Sequence, residues 1–246
     1  DSIDQGLKRQ ALDAGVEIRY NTKFQDKAEI IATGPKMKRK LYGIDKGVVF
    51  DTDIDDTAVA IINDEAAYKA YSYLLVTKGY GCIATVVLDK FHLVNKCLEK
   101  TKEILMKMFD FKIRNEKGVG GFGNFIYPPV LEENGSLFVG EAAGLQEALA
   151  GFGIRYAIAS GYLASRSFTD GISYSQAIKE KFDNQFKASI VNRFIWNFFG
   201  DKMFHLLEIG SKKDSLSVLN KLYNFRLFPQ KMIYPIALSW FNAKYK

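Results

Sequence analysis

The chain is poor in the residues from which metal and nucleophilic sites are built. Its 246 residues include two cysteines and two histidines. Cys82 and Cys97 have neither metal-ligand nor redox spacing. A disulfide framework and a zinc site are therefore excluded as organising features, and both thiols read as core residues in a reducing compartment. His92 and His205 stand apart from any second imidazole or carboxylate cluster, which makes both structural or exposed, and no Ser/His/Asp order emerges. No apolar run approaches the roughly eighteen residues of a membrane-spanning helix. No signal peptide opens the chain either, so the expected location is the cytoplasm, with peripheral contact at a membrane as the variant.

What remains is a globular composition, 48% apolar and 25% charged, sufficient for a substantial core. Charge is unevenly placed. Residues 185–246 hold ten Lys or Arg against three acids, +7 of a total of +6, which leaves −1 for residues 1–184. Both tryptophans lie in this basic quarter. A basic aromatic surface could serve nucleic acid, but no nucleic-acid motif accompanies it, so a lipid surface or simple solvation is the preferred reading.

The densest information lies at Leu137-Phe138-Val139 followed by Gly140-Glu141-Ala142-Ala143-Gly144, and then at Gly151-Phe152-Gly153-Ile154. Three apolar residues read as a short buried strand that turns into a helix. Small residues let the backbone approach a ligand, and a helix start offers free N–H groups to an anion. Arg155 to Gly161 then continues with helical spacing.

These residues, with Ala157 and Ser160-Gly161, resemble the C-terminal flavin motif of the geranylgeranyl reductase family, FAD-dependent oxidoreductases with the fold of para-hydroxybenzoate hydroxylase. The resemblance implies FAD as cofactor. Glu141 would hold the ribityl chain, Ala142 to Gly144 would form a helix start facing the pyrophosphate, and Gly151, Phe152, Gly153 and Ile154 would lie along the isoalloxazine edge, with Gly140 opening the turn. Glu141 replaces the family's aspartate, and Ala148 stands where proline is usual.

Flavoproteins of this kind open with a strand, a Gly-x-Gly-x-x-Gly turn and a helix, and no such turn occurs before residue 100. Gly118 to Gly123 satisfies the bare pattern, but Pro128 and Pro129 follow too soon for a helix, so it is expected to be a loop. The chain is therefore expected to lack the first part of its fold.

Upstream, Ser2-x-x-Gln5 is a capping box, with Leu7, Ala11 and Leu12 on one helical face and Gly15 just past the end. Val16–Tyr20 alternates as a strand, and Ala28–Ala32 is a second. Runs at 47–50, 57–62, 71–76 and 82–88 read as further strands, followed by a helix carrying Phe91, Val94, Leu98, Thr101, Leu105 and Met108. In the resembled family such an inserted sheet roofs the substrate cavity, which makes Tyr71, Tyr73 and Tyr80 substrate-contact candidates, or else ordinary strand aromatics packed on the helix.

The expected class is α/β with an α+β insert: a partial FAD-binding Rossmann-like domain in residues 1–45 and 126–170, an antiparallel roof sheet with cover helix in 46–125, and a helical C-terminal region in 171–246. The implied activity is reduction of carbon–carbon double bonds in a lipid-like, isoprenoid substrate, with NAD(P)H or a ferredoxin-type donor left open. The archaeal-type Tyr-x-Trp-x-Phe-Pro stretch is replaced here by Tyr71-Ser-Tyr-Leu-Leu-Val76. Two alternatives stand: a flavin monooxygenase or halogenase, although the halogenases' Trp-x-Trp-x-Ile stretch is missing, and a non-catalytic lipid-binding protein without cofactor. Phe225, Phe228, Ile233, Tyr234, Leu238, Trp240 and Phe241, interleaved with basic residues, are expected either to dock on the core or to make residues 225–246 a membrane-surface element.

Overall fold

A computed structural model describes residues 2–35, 43–202 and 215–245. His205 lies outside the described residues. Helix α1 (Ile3–Asp13) starts where Ser2 Oγ accepts the Gln5 amide hydrogen at 3.2 Å, one half of the anticipated capping box. It ends at Gly15, whose φ of +82° suits a left-handed cap. No α1 side chain is buried.

The segment Val16–Tyr20 is not a strand. A strand needs a neighbour for its backbone groups, and none is paired with it among the described residues; Arg19 instead pairs with Glu17 two residues away. The second expected strand survives as β1 (Ile30–Ile31), which lies parallel to β8 (Ser136–Phe138); β7 (Glu132–Glu133) pairs with β8 on the other side.

The middle of the chain forms a five-stranded antiparallel sheet. Its strands are β2 (Gly43–Asp51), β3 (Thr57–Ile61), β4 (Ser72–Thr77), β5 (Tyr80–Val87) and β6 (Arg114–Gly123), in the order β3-β4-β5-β2-β6. The period-two pattern divides its faces. Val48, Phe50, Leu74, Val76 and Ile83 pack with Leu98 and Leu105 of helix α2 (Val94–Met108). Thr85 and Thr101 hydroxyls both donate to the Ala66 carbonyl, at 2.6 and 3.0 Å, and so pin the 63–70 loop over this core. The opposite face carries Asp45, Tyr73, Cys82, Ala84 and Val86.

Gly118–Gly123, expected as a loop, belongs to β6, paired with β2 from Gly123↔Gly43 to Gly118↔Val48. The glycines permit a close approach of two backbones rather than a phosphate turn. A Cβ at Gly120 would stand 2.7 Å from the Asp45 carbonyl oxygen.

Helices α3 (Ile154–Thr169), α4 (Tyr174–Phe199), α5 (Ser215–Tyr223) and α6 (Phe228–Tyr245) complete the described residues. A second core joins Phe138, Ala142, Leu145, Tyr156, Phe182, Phe186 and Ile190 to Ala237 and Phe241 of α6. Buried amides link the helices: Gln230 Nε2 donates to Asn192 Oδ1 and the Leu222 carbonyl, tying α4, α5 and α6 together. Most C-terminal aromatics dock here, as Phe225, Ile233, Tyr234, Leu238 and Trp240 flank this core. Phe228 is the exception, 72% exposed.

Candidate functional site

The chain leaves β8 at Phe138, whose carbonyl takes the Tyr174 hydroxyl at 2.7 Å, and turns at Gly140, whose amide donates to Ser160 Oγ at 2.9 Å. Residues Gly140–Ala143 form one 3-10 turn, with Ala142 and Ala143 fully buried. The turn stops at Gly144, which has a φ of +79° and where a Cβ would lie 2.5 Å from Ile126 Cβ. A left-handed residue cannot propagate a right-handed helix. The expected helix start at Ala142–Gly144 is therefore displaced: the next helix is α3, which begins at Ile154 with Gly153 as an N-cap that supplies no side-chain acceptor.

Between the two glycine segments the loop is built around Glu147, a buried carboxylate. Its oxygens accept the amides of Leu149 at 3.0 Å, Ala150 at 2.6 Å and Phe152 at 3.4 Å. Burial pushes its carboxyl above the usual range, against the pull of those amides and of Arg193. Arg193, fully buried on α4, donates through Nη1 to the carbonyls of Lys69 at 2.5 Å and Leu149 at 3.4 Å. It thereby holds the segment entering β4 and the glycine loop to one helix. The Ala148 amide donates to Ser189 Oγ at 3.0 Å, a bond that a proline at this position could not make.

The loop then meets the five-stranded sheet. A cleft of about 280 Å³ lies between them, lined by Asp45, Tyr71, Tyr73, Gly123, Gln146 and Gly151. Tyr71 stacks near Tyr73 at 6.1 Å and touches Phe152 at 5.8 Å between ring centroids. Gln146 Nε2 donates to the Gly151 carbonyl at 2.8 Å, whereas its buried Oε1 has no hydrogen-bond partner. Glu141 Oε1 accepts the Asn124 amide at 2.9 Å, which leaves its second oxygen to accept elsewhere; burial raises this carboxyl too. Burial also raises Asp45, opposed by the amides of Asp45 itself and Gly121. The Tyr73 phenol is pushed up to about 12, by burial first and then by Cys82 and Asp45.

Of the three tyrosines singled out from the sequence, the structure brings Tyr71 and Tyr73 to the cleft. Tyr80 is 52% exposed and lines a separate depression with Leu75 and Cys82. A larger cleft of about 560 Å³ beside α2 is lined by Glu65, Lys96, Glu99, Lys100 and Glu103. Lys100 pairs there with Glu65 and Glu103, so that surface reads as a solvated charged face. Asp45, Gln146, Glu147 and Arg193 escaped sequence reasoning. Glu147, a lone acid among small residues between two glycine motifs, carried a signal; Arg193 carried none, because its partners lie 124 and 44 residues away.

Comparison with known proteins gives fold but not sequence matches. No family model matches the chain, and neither does any curated protein. A solved geranylgeranyl bacteriochlorophyll reductase-like protein from Thermoplasma acidophilum superposes with a TM-score of 0.54 at 17% identity, over 82% of this chain. A flavin-dependent brominase superposes with a TM-score of 0.65 at 12% identity, over 98% of this chain and 75% of its own. The chain spans 55% of the reductase-like protein's length. The mixed α/β architecture is thus the fold of these two proteins.

Proposed function

We propose that this chain is the flavin-edge and substrate-roof part of an FAD-dependent oxidoreductase that reduces carbon–carbon double bonds in a lipid-like, isoprenoid substrate. One observation carries the reading. In a fold shared with a flavin-dependent enzyme, Gln146, Ala150 and Gly151 of the glycine loop and the aromatic face of Tyr71 and Tyr73 form the two walls of one cleft.

The residues present suit a flavin. Gly153 leaves open space, as the nearest atoms to a Cβ there belong to the Gln146 side chain at 3.7 Å. The first amides of α3 lack intrahelical acceptors, the buried Gln146 Oε1 has no partner, and the second oxygen of Glu141 can accept a hydroxyl. Gly151 to Ile154 would border the ring, Glu141 the ribityl chain, and Tyr71 and Tyr73 the substrate. When bound, the flavin supplies the hydride, as cofactors of this class do. The protein contributes position and exclusion of water: Glu147 and Arg193 fix the loop, and the tyrosines offer an apolar wall. Asp45, raised by burial, and the Tyr71 and Tyr73 phenols line the cleft as the groups that could give a proton to a substrate there.

The test is the flavin spectrum as FAD is titrated with the purified protein. A saturable shift of the flavin absorption bands is expected, with bleaching on anaerobic reduction and recovery on addition of an isoprenoid alkene. A flavin spectrum that the protein leaves unchanged would instead fit a lipid-binding scaffold. The superposition on a brominase favours a second reading, halogenation. Recovery that requires oxygen and halide, with no alkene reduction, would select it.

A further inference from the structure

Helix α6 has two unlike sides. Gln230, Ala237, Phe241 and Tyr245 are buried against the helical core. Facing outward are Phe228, 72% exposed, Met232, 65%, and Ile236, 63%. Their four-residue spacing sets them one above another on a single stripe. Pro229, Pro235 and Ala243 are exposed as well. Large apolar groups aligned in water along two turns are costly unless something covers them.

The charges around the stripe indicate what covers it. Residues 215–245 contain Lys221, Arg226, Lys231 and Lys244 and no Asp or Glu. Lys244 is engaged by Asp89 and Asn197. Lys221, Arg226 and Lys231 are exposed, and no acid pairs with them among the described residues. A second copy of the chain would bring Lys221, Arg226 and Lys231 against the same cations, since the acids nearest α6, Asp89 and Asp183, are already paired with Lys244 and Lys187. Nucleic acid would satisfy the cations but not Phe228, Met232 and Ile236.

We infer that the outward face of α6 docks on an anionic bilayer surface, with Phe228, Met232 and Ile236 at the headgroup–acyl boundary and Lys221, Arg226 and Lys231 among the headgroups. Apolar insertion and cation attraction then act on the same face. Pro235 fits a shallow position: it has no N–H to give the Lys231 carbonyl, and such a carbonyl is tolerable at headgroup depth but not in hydrocarbon. No described helix is long and apolar enough to cross a membrane. The inference stands without the flavin reading.

The test uses the chain with vesicles of phosphatidylglycerol mixed with phosphatidylcholine and with vesicles of phosphatidylcholine alone. At low salt the protein should sediment with the anionic vesicles, far less with the zwitterionic ones, and be released by high salt. Combining Phe228→Ser, Met232→Ser and Ile236→Ser should weaken partitioning by at least about tenfold. Lys221→Gln, Arg226→Gln and Lys231→Gln should each weaken it about fivefold. All six positions are exposed, so thermal unfolding and helical circular dichroism should be unchanged. Absence of anionic-vesicle binding, equal binding by the serine variant, or a dimer that the serine substitutions dissociate would each overturn the inference.

Discussion

The ring of Tyr71, the residue just before β4, lies 5.8 Å from that of Phe152, in the loop between Gly151 and Gly153, tilted by 57°. The contact joins the roof sheet to the proposed flavin edge. Arg193 joins the same two segments from behind, through the carbonyls of Lys69 and Leu149. The walls of the cleft are therefore braced from both sides, which is what a site that must hold a ring and a substrate in register requires.

That bracing predicts energetic coupling. In a double-mutant cycle with Tyr71→Ala and Phe152→Ala, read by urea unfolding, the pair should show a coupling of about 0.5–1.5 kcal/mol. Additive effects would mean that the rings are neighbours without being partners.

The glycines of the two motifs should differ in kind. Gly144→Ala forces a Cβ into left-handed backbone and against Ile126, and should cost at least about 2 kcal/mol. Gly153 has a φ of −122° and meets only Gln146. Gly153→Val should cost no more than about 1 kcal/mol, the difference between glycine and a β-branched residue at an N-cap. Thermal unfolding of the two variants checks the contrast, and equal losses would refute it.

Much of this arrangement was legible in the sequence, and the exceptions have physical reasons. The roof strands and α2 were readable because β-branched runs and helical spacing are local signals. The glycine-rich segment 118–123 was not, since its pairing with β2 depends on close backbone approach, which composition does not encode. Val16–Tyr20 had the alternation of a strand but no partner among the described residues. The motif glycines were visible, yet the position of the helix start was not. The left-handed Gly144 ended the first turn, and the capping of the intervening loop by Glu147 depends on three-dimensional closure. Asp45 lay outside the run at 47–50 that read as a strand, and the fold extends that strand to Gly43 and places Asp45 at the cleft.

Three carboxyl groups around the cleft, Asp45, Glu141 and Glu147, are all raised by burial. A carboxyl raised in the folded state binds its proton more tightly there than in the unfolded chain. Its contribution is full below the unfolded value, about 4, and is lost as pH rises through the folded value. The stability of the protein relative to its Glu147→Gln variant should therefore decline as pH rises from about 4 toward neutrality. Denaturant titrations at several pH values check this, and a difference that stays flat or grows with pH would contradict the burial of Glu147.

The most direct measurement is titration of FAD into the protein and into Gly153→Val, followed by flavin fluorescence, with thermal unfolding of both recorded alongside. If the flavin ring lies against Gly151 to Ile154, the protein should bind saturably, and the variant should bind at least about tenfold more weakly while unfolding at nearly the same temperature, because a side chain at Gly153 would collide with the ligand and not with the fold. Superimposable binding curves for the two proteins, or no saturable binding by either, would contradict a flavin site in this loop.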